Sequence, residues 1–117
     1  MRKAGFQRSS VWLGVVFVLI AFLYIGSAVA GNPHVAEAIA HAKGAVKHGS
    51  MGHADALVEH AEEALMHAKA AQKEMNNPHL NEGVHELMEA IAHGKEGHAE
   101  VATKHAKSAI MHLEEVH

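Results

Sequence analysis

Histidine is the residue type through which this sequence could do chemistry. The chain contains 13 His and no Cys among its 117 residues, and every His lies after residue 30. Neutral imidazole binds borderline divalent ions such as Cu(II), Ni(II) and Zn(II), and a neighbouring carboxylate adds a compatible oxygen ligand. Twice a pair of histidines encloses a short glycine-containing stretch, HGSMGH at 48–53 and HGKEGH at 93–98. The repetition indicates one metal-binding device that occurs twice.

The histidines of the first half have the spacing of a ladder across two antiparallel helices. On each side of HGSMGH they recur every seven residues, which is two helical turns and about 10.5 Å of rise. Residues whose numbers have a constant sum lie at the same height in an antiparallel pair, so each such pair forms one rung. The rungs of the first half, each with the sum 101, are His48 with His53, His41 with His60, and His34 with His67.

The second half repeats the ladder with one change. Its loop rung and its outermost rung again consist of two histidines, but a glutamate occupies one side of the middle rung, which leaves the copper preference of that rung open. The rungs, each with the sum 191, are His93 with His98, Glu86 with His105, and His79 with His112, and His85 lies next to the middle one.

Carboxylates stand one helical turn from these histidines, and residues three or four apart are neighbours on a helix surface. Each height of the ladder can therefore offer imidazole nitrogen together with carboxylate oxygen. We predict that the chain binds several divalent ions, Cu(II) in preference and Ni(II), Zn(II) and others as well. The predicted metal ligands are His34, His41, His48, His53, His60, His67, His79, His85, His93, His98, His105, His112, Glu37, Glu63, Glu86 and Glu89.

Capping signals divide the chain into four helices that would carry these ligands. Asn-Pro at 32–33 and at 77–78 reads as an N-cap followed by the first helical residue. Gly49 and Gly94 stand where a helix commonly ends in a left-handed glycine. The predicted helices are 33–48, 53–75, 78–93 and 98–116, and the apolar residues recur at steps of three and four within each.

The two halves are a duplication. Residues 34–67 align with 79–112 at 13 identical positions of 34, five of them histidine. Two helical hairpins with narrow apolar stripes bury them most simply as an up-down-up-down four-helix bundle, so the predicted fold class is all-α. The histidine stripes lie beside the apolar stripes, and they face either the groove within each hairpin or the other hairpin.

Residues 1–30 have the features of a secretory signal peptide, namely a basic start, an apolar middle and small residues at 28–30. We predict a mature chain at 31–117 that is exported to the periplasm; the alternative is an uncleaved anchor at 11–30. The mature part has 7 Lys and 13 acidic residues, a net charge of −6 with neutral His, which argues against nucleic acid as a partner. It has no aromatic residue besides His, so its core is thin and bound metal would stabilise it.

The stretches HAEEALMHAKAA at 60–71 and HGKEGHAEVATKHAKSAIMHLEE at 93–115, with the seven-residue histidine spacing, closely resemble the family of periplasmic small metal-binding proteins. The resemblance covers nearly all of the mature chain. It implies a periplasmic four-helix bundle that binds several divalent metals, copper foremost, and stores, buffers or detoxifies them. We expect a monomer, with any copper-handling partner unspecified. By position it assigns ligand roles to His41, His48, His53, His60, His67, His93, His98, His105 and His112.

Two other functions compete with metal storage. A di-iron four-helix-bundle enzyme needs an E-x-x-H motif on each of two helices, and residues 82–85 are the one example that lies wholly within a predicted helix, so we predict that the protein is not an enzyme. A metal-free protein whose histidines act as a charge switch is the second alternative. The five mature methionines are expected to fill the core, with Met51 in the loop the exception as a thioether ligand.

Overall fold

The computed structural model describes residues 31–117, which form four helices joined by short loops. The helices are α1 (Pro33–Ser50), α2 (Ala54–Gln72), α3 (Pro78–Lys95) and α4 (Ala99–Glu114). Helix α1 packs against α2 and α4, and α3 packs against the same two helices. The predicted up-down-up-down four-helix bundle is therefore confirmed. The predicted signal peptide lies outside the described residues, and within 31–117 no helix is both long enough and apolar enough to cross a membrane.

Asparagine caps start the first helix of each hairpin, as predicted. The Asn32 side-chain oxygen accepts hydrogen bonds from the backbone N–H groups of His34 and Val35 at 2.8 and 3.3 Å. Asn77 caps α3 in the same way, with proline at the first helical position in both cases. These caps satisfy N–H groups that have no partner inside the helix, and they fix the heights at which the histidine stripes begin.

The glycine prediction at the ends of α1 and α3 was wrong. Gly49 and Gly94 remain helical and buried, and the left-handed residues are the second glycines, Gly52 and Gly97, with φ of 81° and 83°. A Cβ on Gly49 would overlap Thr103 and Leu57, so the first glycine serves close helix packing and the second serves the turn. Both helices consequently run two residues further than predicted.

Alanine makes up most of the core. Eleven of the 17 buried apolar residues among 31–117 are Ala, and the four large fully buried side chains are Leu57, Leu80, Leu87 and Leu113. Small side chains let helices approach closely but remove little apolar area from water, and hydrophobic stabilisation scales with that area. We therefore expect a small free energy of unfolding for the metal-free protein.

The methionines do not fill the core, contrary to the prediction. Met66 and Met111 are 69% and 68% exposed, and Met88 is about half exposed. Met51, the predicted exception, is about half exposed as well. Of the five in the described chain, Met75 alone packs against the buried cluster. Alanine already fills the narrow space between the helices, and the helical positions of Met66 and Met111 point away from it.

Candidate metal sites

The histidine ladders lie in the grooves within each hairpin, which decides between the two orientations that the sequence allowed. We call the groove between α1 and α2 the first groove and that between α3 and α4 the second groove. In the first half, all three predicted rungs are ring pairs between α1 and α2 or the loop that joins them. In the second half, the outer rung and the loop rung are ring pairs in the same way. The bundle thus presents its imidazoles along two outer grooves, and among residues 31–117 its interior is apolar apart from Glu37 and Thr103.

In the first groove the six rings form a continuous zigzag. Along the rungs the ring centroids are 5.9 to 6.3 Å apart. The diagonal neighbours are closer and nearly parallel, with His48 and His60 at 5.0 Å and His41 and His67 at 5.6 Å. Each ring except those at the ends therefore touches neighbours on two sides. A metal ion could draw ligands from a rung or from a diagonal, which the sequence did not anticipate.

The second groove has a histidine pair in its loop rung and in its outer rung, as the first groove does, but Glu86 takes the place of one histidine in its middle rung. His93 lies 6.2 Å from His98 and 5.3 Å from His105, stacked on the latter. The Nδ1 atoms of His79 and His112 are 3.4 Å apart. Two ligands at about 2.0–2.1 Å from a tetrahedral metal are roughly 3.3 Å apart, so this rung already has the separation that two nitrogen ligands need.

Glu37 and Glu63 of the first groove approach histidines of the partner helix. Glu63 on α2 lies 3.0 Å from Nδ1 of His41 on α1, and the buried Glu37 on α1 lies 3.9 Å from His67 on α2. Spacing along the sequence predicts histidine neighbours one turn away on each acid's own helix, and it does not reveal these contacts with the partner helix. Both carboxylates therefore bridge the hairpin.

In the second groove the carboxylates are more numerous. Glu86 lies 2.7 Å from Nδ1 of His105 across the hairpin, and Glu89 lies 3.8 Å from His93 one turn along α3. Glu96, in the loop, was missed by sequence reasoning; it lies 3.6 Å from His93 and 3.4 Å from His98. Its position three residues after His93 was the available signal, because such residues are neighbours at the end of a helix.

Three clusters within residues 31–117 bring three ligand atoms within 4.8 Å of one another. One is in the first groove, and two share His93 in the second. Each combines two imidazole nitrogens with one carboxylate oxygen, the mixed donor set that suits Cu(II), Ni(II) and Zn(II). The clusters are Glu37 with His41 and His67; Glu89 with His93 and His105; and Glu96 with His93 and His98.

Several imidazole nitrogens are buried and have no hydrogen-bond partner in the protein. Within the described chain, Nδ1 of His48, His60 and His93 is buried and makes no hydrogen bond. A buried polar atom normally has a partner, so these nitrogens have capacity left for a ligand. Burial lowers the pKa of His60 and of His67, with neighbouring histidines contributing to both. A lower pKa keeps these rings neutral, and metal binding requires neutral imidazole.

Space for the His60 ring is made by a glycine on the opposite helix. A Cβ on Gly44 would lie 2.8 Å from Nδ1 of His60. The corresponding residue of the second hairpin is Glu89, which approaches its own histidines. The middle of the first groove therefore packs a ring against bare backbone, whereas the middle of the second groove adds a carboxylate.

Not every predicted ligand is placed with others. His85 is exposed and belongs to none of the ring pairs or three-ligand clusters found in residues 31–117. Glu82, the first residue of the E-x-x-H motif, is exposed as well, so the motif does not point into the bundle as a di-iron site would require. The buried polar side chains within the described residues are Glu37 and Thr103.

A family model described as "Small metal-binding protein" matches residues 9–116. The chain belongs to the small metal-binding protein family. The resemblance seen in the sequence is thereby confirmed, and the four-helix fold agrees with it. No curated protein matches the chain. The family is described by metal binding and not by a catalysed reaction. In this chain the nitrogen and oxygen atoms that could bind a metal lie along the two histidine grooves.

Proposed function

We propose that the protein is a periplasmic metal-storage or buffering protein that holds several Cu(II) ions along its two grooves, and that it accepts Ni(II) and Zn(II) less tightly. The observation that carries the proposal is the row of imidazoles along each groove, a continuous zigzag of six rings in the first and two histidine pairs with His105 in the second. Carboxylates join some of these rings into three-ligand clusters. Affinity for nitrogen and oxygen sites rises along the divalent series to Cu(II) and falls again at Zn(II). Copper is therefore the preferred ion unless geometry selects against it.

The arrangement favours capacity over catalysis. An enzyme concentrates its reactive groups in one pocket that excludes water, whereas here similar clusters repeat along two solvent-facing grooves. A site with two or three protein ligands leaves coordination positions for water or for an acceptor. Ions held in this way can be released to another protein, which supports buffering, storage or detoxification.

Export supports the choice of compartment. Residues 1–30 have the order of features of a cleaved signal, and the lack of cysteine means that no thiol is exposed to oxidation. The protein purified from a periplasmic extract should begin at Gly31 when its mass is measured. Recovery of the full-length chain in the membrane fraction would instead support an uncleaved anchor.

Equilibrium dialysis against Cu(II), Ni(II) and Zn(II), followed by elemental analysis, tests the function directly. We expect more than one copper per chain, and titration calorimetry should show tighter copper than zinc. Tighter zinc binding would refute the copper preference and leave metal storage in place. No retained metal would refute storage and favour a metal-free charge switch.

A further inference from the structure

The two hairpin loops have the same backbone and differ in the residues that lie between their paired histidines. His53 N–H donates to His48 O at 3.0 Å in the first loop, and His98 N–H donates to His93 O at 2.9 Å in the second. The ring centroids are 6.3 and 6.2 Å apart, with an angle of 37° between the rings in both. The left-handed glycines also match. Any chemical difference between the loops must therefore come from the residues that differ.

One of those residues stands between the histidines of each loop. Glu96 in the second loop reaches both of its histidines and completes a cluster of two nitrogens and one oxygen. Met51 occupies the corresponding position in the first loop, with almost the same backbone angles, φ −93° and ψ 4° against φ −84° and ψ 0°. The methionine sulfur and the glutamate carboxyl carbon are the same number of bonds from Cα, so the thioether can reach the space that the carboxylate occupies.

The loop histidines are not explained by the fold. His53 and His98 occupy the N-cap positions of α2 and α4, but neither side chain makes a capping hydrogen bond. Ser, Thr, Asp or Asn at an N-cap stabilises a helix by about 1 kcal/mol. Nδ1 of His48, the other ring of the first loop, is buried without a hydrogen-bond partner. These observations favour a ligand for the first loop rather than a structural role.

We propose that His48, Met51 and His53 form a Cu(I) site, whereas Glu96 makes the second loop a site for Cu(II) and similar divalent ions. Thioether sulfur is a soft ligand that selects Cu(I), and carboxylate oxygen is a harder one. The charges agree: neutral ligands around Cu(I) and one carboxylate with Cu(II) both leave a net charge of +1. Met51 is 52% exposed, so an incoming ion can reach it. The inference rests on the proposed copper-binding function and assigns one site an oxidation state.

Two methionine variants and one exchange test the site. Cu(I) is supplied to the full chain under anaerobic conditions and competed with a coloured Cu(I) chelator. Met51→Leu should weaken the tightest Cu(I) equivalent by roughly 10- to 100-fold, since loss of a supporting group alone costs that much at a metal site. Met111→Leu is the matched control, because this methionine is 68% exposed but lies near the end of α4 away from both loops. Glu96→Met should create a second tight Cu(I) equivalent.

X-ray absorption on the protein with one equivalent of Cu(I) should show sulfur in the copper coordination shell, and Met51→Leu should remove it. Equal Cu(I) affinity in Met51→Leu and Met111→Leu, or an all-nitrogen shell in the unaltered protein, would overturn the Cu(I) site. Cu(II) capacity, measured by dialysis on the same samples, separates the two proposals. Retained Cu(II) capacity with no methionine effect refutes the loop site alone, whereas no Cu(II) binding refutes the storage function.

Discussion

Replacing Gly44 by alanine should separate the stability of the fold from the capacity of the first groove. Gly44 lies inside α1, where alanine is about 1 kcal/mol more favourable than glycine. The added Cβ would lie 2.8 Å from Nδ1, 3.1 Å from Cε1 and 3.2 Å from Cγ of His60. An ordinary contact begins near 3.4 Å, so the ring must retreat by about 0.6 Å. Metal–ligand distances tolerate about 0.2 Å, and the displaced ring leaves its productive position.

We expect the metal-free Gly44→Ala protein to be as stable as the unaltered one or more stable. The helix gain is offset in part by displacement of the ring, and a net gain of about 0.5–1 kcal/mol would raise the melting temperature by roughly 2–8 °C in a domain of this size. Copper affinity at the middle of the first groove should fall by about tenfold or more. Thermal unfolding by circular dichroism measures the first effect, and copper titration calorimetry measures the second.

The matched control is Gly44→Ala in a His60→Gln background. With the ring removed, alanine should add its helix stabilisation and change copper binding no further, because the group that it displaces is gone. If Gly44→Ala in the otherwise unaltered protein keeps full copper affinity, then the position of the His60 ring against α1 does not matter for binding, and the zigzag of the first groove is not the metal site.

Three further results are expected. Because burial lowers the pKa of His60 and His67 below 6.5, the unfolded chain takes up their protons first; urea unfolding should show that the metal-free protein loses stability as the pH falls below about 6.5, and no difference between pH 7.5 and 5.5 would contradict this. Replacing His48 and His53 together by Gln should lower copper capacity by a discrete amount with helicity retained, whereas full capacity would exclude the first loop as a site. Saturating copper at 100 times its dissociation constant should stabilise the fold by about 2.7 kcal/mol per independent site, and a melting temperature that does not change would show that binding is indifferent to folding.

Periodicity and capping predicted the helices because both are local. Asn32 and Asn77 satisfy backbone groups two and three residues away, so neighbouring letters contain the whole interaction. The left-handed glycines were misplaced because each loop offers two glycines, and close packing against Thr103, 54 positions further along the chain, keeps Gly49 helical. A rule based on neighbouring residues in the sequence does not include a contact with a residue so far along the chain.

The sequence predicts which histidines lie at the same height along the hairpin, but it does not predict which of them come together in one metal site. Antiparallel geometry aligns His41 with His60, yet the closer diagonal contact of His41 with His67 depends on the twist and separation of α1 and α2. Glu63 likewise lies 3.0 Å from Nδ1 of His41 on the other helix, a contact that the spacing within α2 does not reveal. Membership of a site therefore depends on how the helices pack, which the alanine core determines.

A nuclear magnetic resonance titration of the histidine rings with substoichiometric Cu(II) at pH 7.5 tests the central claim most directly. Paramagnetic copper broadens the signals of the rings that it approaches. The groove account predicts loss of signals from the histidines of both ladders, while His85, exposed and outside the three-ligand clusters of the described chain, and His117 at the chain end stay sharp. Early loss of the His85 and His117 signals with the groove rings unaffected would show that copper binds elsewhere.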